Sequence, residues 1–268
     1  MNPHIIWSLI FFGCVAFTLV FRFRNAAHYY MKFAFYIIYV SGTALFLIPI
    51  AIFQPKNVKN ANIGTRWSRW TNSILEIQWE VEGQEHLAVD QGAIVVSNHQ
   101  SMLDYLGMCE LWDVAGKLTA VAKKEILYSG PFGLAAYLCD LVFINRMNSD
   151  ESKQILKEAG QKMKKEKIKL WIYPEGTRCS DPGKLLPFKK GAFHMAVQCG
   201  LPIIPIVFSP YYFVDYKKKI FASGKVRIHI LPAVDTSAYS LDQIPELSEE
   251  VRSLMLQEYL ALGSRKQL

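Results

Sequence analysis

The stretch AIVVSNHQSMLD, residues 93–104, runs four apolar residues straight into Asn98, His99 and Asp104. A short apolar run that stops on polar residues reads as a buried strand. Four further runs have the same character: LTAVA (118–122), LVFI (141–144), KLWIY (169–173) and PIIPIVF (202–208). ILEIQWEVEG (74–83) and KVRIHIL (225–231) alternate apolar with polar residues, as half-buried strands do. Helical patterns lie between them. Ser149–Glu166 has acids at its start and lysines toward its end, matching the helix dipole, and carries the stripe Ile155, Leu156, Ala159, Met163. Lys190–Cys199 stops at Gly200, with Pro202 just beyond, and Glu246–Leu262 closes the pattern. GPFGLAAYLCDLVFI (130–144) reads as a buried helix leading into a strand; a shallow membrane dip is the alternative. Strand–helix alternation predicts an α/β fold whose central sheet, mostly parallel or mixed, is flanked by helices.

The first 53 residues differ from the rest. Ile5–Phe21 and Phe33–Phe53 carry no charged residue. A spanning helix needs ~20 apolar residues, so both suggest an N-terminal two-helix membrane motif. Buried core helices, or a cleaved leader for the first segment, are the alternatives. The 268 residues carry 51% hydrophobic residues and a formal net charge of +7. No acid precedes Glu76, whereas seven bases do, at 22, 24, 32, 56, 59, 66 and 69. The remaining 23 bases match the 23 acids. The positive excess therefore belongs to the membrane-proximal segment. That fits anionic headgroups and argues against nucleic acid as a partner. RWSRW (66–70) adds Trp67 and Trp70, suited to a lipid–water boundary. Three parts follow: membrane-embedded helices over 1–53, a basic interfacial linker over 54–73, and an α/β domain over 74–268. The bases place the domain on the cytosolic side. The five cysteines form no C-x-x-C pair and no N-x-[ST] sequon occurs, both suited to a reducing compartment.

In a parallel sheet Asn98 and His99 stand at the carboxyl end of their strand, the edge where ligands bind. Asp104 then falls in the first turn of the next helix and can fold back on the ring. A carboxylate on one imidazole nitrogen fixes the tautomer and leaves the other as a base. An N-capping aspartate beside a hydrogen-bonded histidine is the plainer alternative. Other strands end on cations: Lys123, Arg146, and Glu175-Gly176-Thr177-Arg178 after KLWIY. On one rim, these guanidinium and ammonium groups would hold a phosphate, and Gly176 would let the backbone approach it. A solvated surface is the alternative for any single one.

NHQSMLD (98–104) resembles the N-H-x-x-x-x-D motif of the glycerolipid acyltransferases. FINR (143–146), YPEGTR (173–178) and LPIIPI (201–206) resemble that family's later blocks in order, and LPFKKGAFHMAVQ (186–198) is similar too. The match most resembles the 1-acylglycerol-3-phosphate acyltransferases of the eukaryotic endoplasmic reticulum. The resemblance implies transfer of an acyl group from acyl-CoA to the sn-2 hydroxyl of lysophosphatidic acid, giving phosphatidic acid at that membrane. It implies His99 as general base and Asp104 as its orienting group. Arg178, Lys123 and Arg146 would bind the acceptor phosphate with Gly176 and Thr177, and Glu175 would position acceptor hydroxyls or brace the arginines. Leu201, Pro202, Ile203, Ile204 and Pro205 would line the acyl path or simply pack the core. Acyl-CoA is then a co-substrate, and neither metal nor cofactor is expected. A hydrolase using Ser101, and a non-catalytic lipid sensor, are the competing readings. No G-x-S-x-G elbow occurs to support the first.

Overall fold

The computed structural model describes residues 3–145, 147 and 149–264; Arg146 lies outside them. All seven expected strands form and join one sheet: β1 (Ile77–Glu82), β2 (Ala93–Ser97), β3 (Leu118–Lys123), β4 (Val142–Ile144), β5 (Lys169–Ile172), β6 (Ile203–Phe208) and β9 (Gly224–Ile230). Their order is β1-β9-β6-β2-β5-β3-β4. β6, β2, β5, β3 and β4 run the same way, whereas β9 meets β6 antiparallel and carries β1 with it. The carboxyl ends of β2, β3, β4, β5 and β6 therefore share one edge.

The period-two rule sorts the core. On β2, Ala93 and Val95 enter one apolar cluster and Ile94 and Val96 the other. The first cluster is closed by α1 (Pro3–Ala51) and α5 (Asp104–Ala115). The second is closed by α7 (Ser149–Glu166), α8 (Gly191–Cys199) and α9 (Ile244–Ser264). The result is a sheet between two helical layers. Replacing a core residue such as Ile94 or Ile204 by alanine would cost about 2–5 kcal/mol.

The N-terminal expectation needs correction. The chain forms one continuous helix, α1, rather than two. The intervening FRFRNAAHYYMK is charged but holds neither glycine nor proline, and Ala26 and Ala27 favour helix. Charge interrupts the apolar pattern without ending the helix. At 1.5 Å per residue α1 is about 74 Å long, more than twice a hydrocarbon core. Its second half rests on the body: Tyr29, Phe33, Tyr36, Val40 and Leu47 are buried. Over Phe23–Ala51 it is long and apolar enough to cross a membrane. The side chains of Ile5–Phe21 fall mostly outside the described residues.

The 54–73 stretch is folded, with α2 (Ala61–Ser68) and α3 (Thr71–Leu75). Two of its bases are engaged by the body. Arg69 donates to Asp113 at 2.7 Å and to the Cys109 carbonyl at 3.0 Å, and Arg66 sits 3.3 Å from Asp113. Trp70 stays 72% exposed. The 130–144 run is a helix, α6 (Pro131–Leu138), followed by β4. Three further elements are α4 (Gln84–Ala88) and the two strands of a hairpin, β7 (Val214–Asp215) and β8 (Ile220–Phe221).

Candidate active site

β2 delivers Asn98 and His99 to the shared edge. Asn98 is fully buried and grips the end of β6 at both polar atoms. Its Oδ1 accepts from the Phe208 amide at 2.9 Å, and its Nδ2 donates to the Phe208 carbonyl at 3.0 Å. His99 Nδ1 lies 2.7 Å from Asp104 Oδ2. The same carboxylate accepts the backbone amides of Gln100 at 2.8 Å and Ser101 at 3.1 Å. Asp104 is completely buried as the first residue of α5, where the helix dipole favours a negative charge. It folds the 99–104 loop onto itself instead of capping the helix. A carboxylate at this nitrogen favours the tautomer that carries its proton on Nδ1, and Nε2 has no protein hydrogen-bond partner among the described residues. The ring stacks on Tyr173, with centroids 4.1 Å apart and planes at 19°, and is 19% exposed. That is a histidine held by one face and one nitrogen, with the other nitrogen open.

The loop after β5 meets this histidine through its backbone. Glu175 Oε1 accepts from the His99 amide at 2.8 Å and Oε2 from the Leu186 amide at 2.9 Å. The Cys179 amide donates to the His99 carbonyl at 2.8 Å. Glu175 is therefore a buried clamp between loops, a role sequence reasoning missed because its partners are main-chain groups. Burial raises its pKa above the usual carboxylate value, opposed by those two amides. Arg178, one residue before Cys179, is exposed and makes no ion pair among the described residues. It lines a cavity of about 420 Å³ with Tyr29, Tyr30, Phe33, Gln100, Met102 and Tyr216. Gly176 has φ +71°, and a Cβ there would lie 2.7 Å from Lys189 Cε and 3.0 Å from its Nζ. The glycine thus lets a second cation, which the spacing of strand ends did not single out, lie across the arginine loop.

Other expected residues fare differently. Thr177 is exposed in the same loop. Lys123 ends β3, two strands from β2 and so about 10 Å along the sheet, and does not line the Arg178 cavity. Leu201, Ile203 and Ile204 are packed core, with Ile203 and Ile204 fully buried on β6, and Pro202 and Pro205 flank them in that strand and its approach. That burial fits the packing role that the sequence left open. Ser101 is buried. Its Oγ accepts from the Leu103 amide at 3.1 Å and meets the Tyr216 hydroxyl at 2.5 Å, and its own amide points to Asp104. It braces the Asp104 side of the ring instead of facing Nε2, which removes the basis for a serine nucleophile. Gln100 ties the loop to the end of β6 and to Tyr259 of α9, and Tyr36 of α1 donates to the Met102 carbonyl at 2.9 Å.

A model of the Acyltransferase family matches residues 78–209, a span that contains the paired histidine and aspartate and the arginine loop. The human 1-acyl-sn-glycerol-3-phosphate acyltransferase alpha is 38% identical over 232 residues, covering 86% of this chain and 81% of that protein. The human beta enzyme is 34% identical over 265 residues, covering 98% and 94%. The crystal structure of the 1-acyl-sn-glycerophosphate acyltransferase PlsC from Thermotoga maritima superposes with a TM-score of 0.71 at 23% identity. It covers 92% of this chain and 99% of that one, and so shares the fold. On its sequence, its sheet and the motifs that meet at one sheet edge, this chain is an acyltransferase of the 1-acyl-sn-glycerol-3-phosphate acyltransferase family.

Proposed function

We propose that the chain transfers an acyl group from acyl-CoA to the sn-2 hydroxyl of lysophosphatidic acid, forming phosphatidic acid, with His99 as the general base. The observation that carries this is the ring held at Nδ1 by Asp104 at 2.7 Å while Nε2 stays unengaged. Nε2 takes the sn-2 proton as that oxygen attacks the thioester carbonyl. The tetrahedral intermediate collapses, the C–S bond breaks, and the imidazolium returns the proton to the departing CoA thiolate. Asp104 stabilises the imidazolium between those two steps. Water would follow the same route to hydrolyse the donor, so exclusion of water at the ring is part of the chemistry.

The Arg178 cavity supplies the acceptor's place. One guanidinium faces a wall of Tyr29, Tyr30 and Phe33 from α1. A phosphomonoester on Arg178 with an alkyl chain along those rings is the amphipathic acceptor that such a cavity fits. Lys189, beside Gly176, adds charge to the phosphate end. α1 would hold the domain at the endoplasmic-reticulum membrane with the body on the cytosolic side. Its apolar Phe23–Ala51 stretch and exposed Ile38, Phe46 and Ile50 support the membrane contact. The test supplies the purified protein with labelled oleoyl-CoA and a panel of lysophospholipids and glycerol 3-phosphate. Labelled phosphatidic acid from lysophosphatidic acid is the expected product. Preferential acylation of glycerol 3-phosphate or of a choline-bearing lysolipid would overturn the acceptor assignment.

A further inference from the structure

The β7–β8 hairpin is not accounted for by the chemistry above. Its turn is Tyr216-Lys217-Lys218-Lys219, three consecutive lysines beside a single acid, Asp215. Asp215 Oδ1 accepts the amides of Lys217 at 2.9 Å and Lys218 at 2.8 Å and so fixes the turn, and Lys218 remains 76% exposed. The hairpin is pinned to α1: Phe221 and Phe33 have centroids 5.0 Å apart. Lys219 Nζ stands 5.4 Å over the Tyr29 ring and 5.9 Å from that of Tyr30. Tyr29, Tyr30 and Tyr216 also line the Arg178 cavity. Lys219 thus stands against two of the rings that line the Arg178 cavity, and the exposed Lys217 and Lys218 continue the same turn from Tyr216, a third lining residue. The hairpin meets α1 where that helix begins to rest on the body, and Phe23 and Met31 of the helix are exposed. Lysines and tyrosines at the point where an apolar helix meets a protein body are the composition of a headgroup-level belt.

We infer that the Lys217–Lys219 turn is a phosphate-headgroup site on the bilayer-facing rim of the Arg178 cavity, holding the phosphomonoester of an anionic lipid before that phosphate passes to Arg178. The inference rests on the membrane-bound, lipid-acylating reading proposed above. Each lysine at an anionic surface contributes about a factor of five in binding, so the three together contribute on the order of a hundredfold.

The test compares the full chain with a Lys217→Gln/Lys218→Gln/Lys219→Gln variant and with Lys218→Gln alone. The Lys218 side chain is mostly exposed and lies 3.8 Å from Asp215, so the single change keeps the fold. Cosedimentation uses vesicles of phosphatidylcholine alone or with added phosphatidic acid. The wild type prefers the phosphatidic acid vesicles. The triple variant loses that preference by on the order of 30–100-fold, the single variant by about fivefold, and binding to phosphatidylcholine alone does not move. High salt collapses the wild-type preference in the same way. In the acyltransferase assay, KM for vesicle-borne lysophosphatidic acid rises in the triple variant and KM for acyl-CoA does not. An unchanged lipid preference in both variants overturns the inference. So does a raised KM for acyl-CoA with lipid binding intact, which assigns the turn to the nucleotide phosphates of the donor. Loss of lipid preference in a protein that acylates no acceptor supports the headgroup site and instead refutes the proposed reaction.

Discussion

Replacing Asp104 by asparagine probes the pair most sharply, because the amide keeps the shape and removes the charge. Asp104 Oδ2 serves three donors: the His99 ring and the amides of Gln100 and Ser101. The asparagine oxygen takes this position, since the flipped amide would aim N–H groups at two main-chain donors. The NH2 group then faces the Ser101 amide, which lies 3.2 Å from the present Oδ1. One strained donor–donor contact costs stability of about 1–3 kcal/mol, so the domain stays folded. The kinetic effect is larger. A full imidazolium about 4 Å from a carboxylate gains about 4 kcal/mol at an effective dielectric of ~20. With the proton about half transferred, about 2 kcal/mol of transition-state stabilisation goes, or roughly 30-fold in rate. Weaker control of the tautomer adds to this, giving a fall in kcat on the order of 10²–10³. Thiol release from acyl-CoA at saturating acceptor measures kcat, and thermal melting monitors the fold. A lower kcat with both KM values little changed is the expected pattern. A folded Asp104→Asn enzyme within threefold of wild-type kcat would refute the assignment of Asp104 as the group that orients and stabilises the ring.

Ser101→Ala removes the acceptor of the Leu103 amide and the partner of Tyr216, so it should lower stability by about 1–3 kcal/mol yet keep activity within tenfold; abolished turnover in a folded variant would revive a covalent serine mechanism. Arg178→Ala should raise KM for lysophosphatidic acid, lowering kcat/KM by roughly 10–100-fold, and leave hydrolysis of acyl-CoA by water little changed; equal losses in both would mean that the arginine supports the loop, not the phosphate. Burial raises the pKa of Glu175 above the ordinary carboxylate value of about 4.5, so the folded state favours its protonated form more than the unfolded state does. That contribution is complete below about 4.5 and is lost as pH rises through the folded value. Urea melts of the wild type and Glu175→Gln should show the wild-type stability falling relative to the variant across that window, and a rising difference would contradict the sign.

The sheet was legible because each strand declares itself within four to ten residues, and the seven runs became the seven strands of one sheet. β7 and β8 were not legible: two residues per strand leave no period to detect. The continuity of α1 was not legible, because charge at Arg22, Arg24 and Lys32 breaks the apolar pattern without breaking the helix. Lys32 in fact turns inward to the Leu75 carbonyl and Glu76. His99 and Asp104 were readable because a strand, a turn and a helix start bring residues five apart together. The clamp by Glu175 and the stacking of Tyr173 were not, since both depend on β5 lying next to β2 in the sheet. The cavity wall of Tyr29, Tyr30 and Phe33 comes from a helix whose sequence speaks only of lipid. LPIIPI was ambiguous for a physical reason: a central strand, which β6 is, and an acyl channel call for the same apolar side chains.

The most direct measurement is the yield of labelled phosphatidic acid from oleoyl-CoA and lysophosphatidic acid by the wild type and by His99→Ala, with thermal melting of both. The expected result is phosphatidic acid from the wild type, a 10²–10⁴-fold loss in the variant, and melting curves within a few degrees of each other. Wild-type turnover by a folded His99→Ala protein would show that no proton passes through this imidazole.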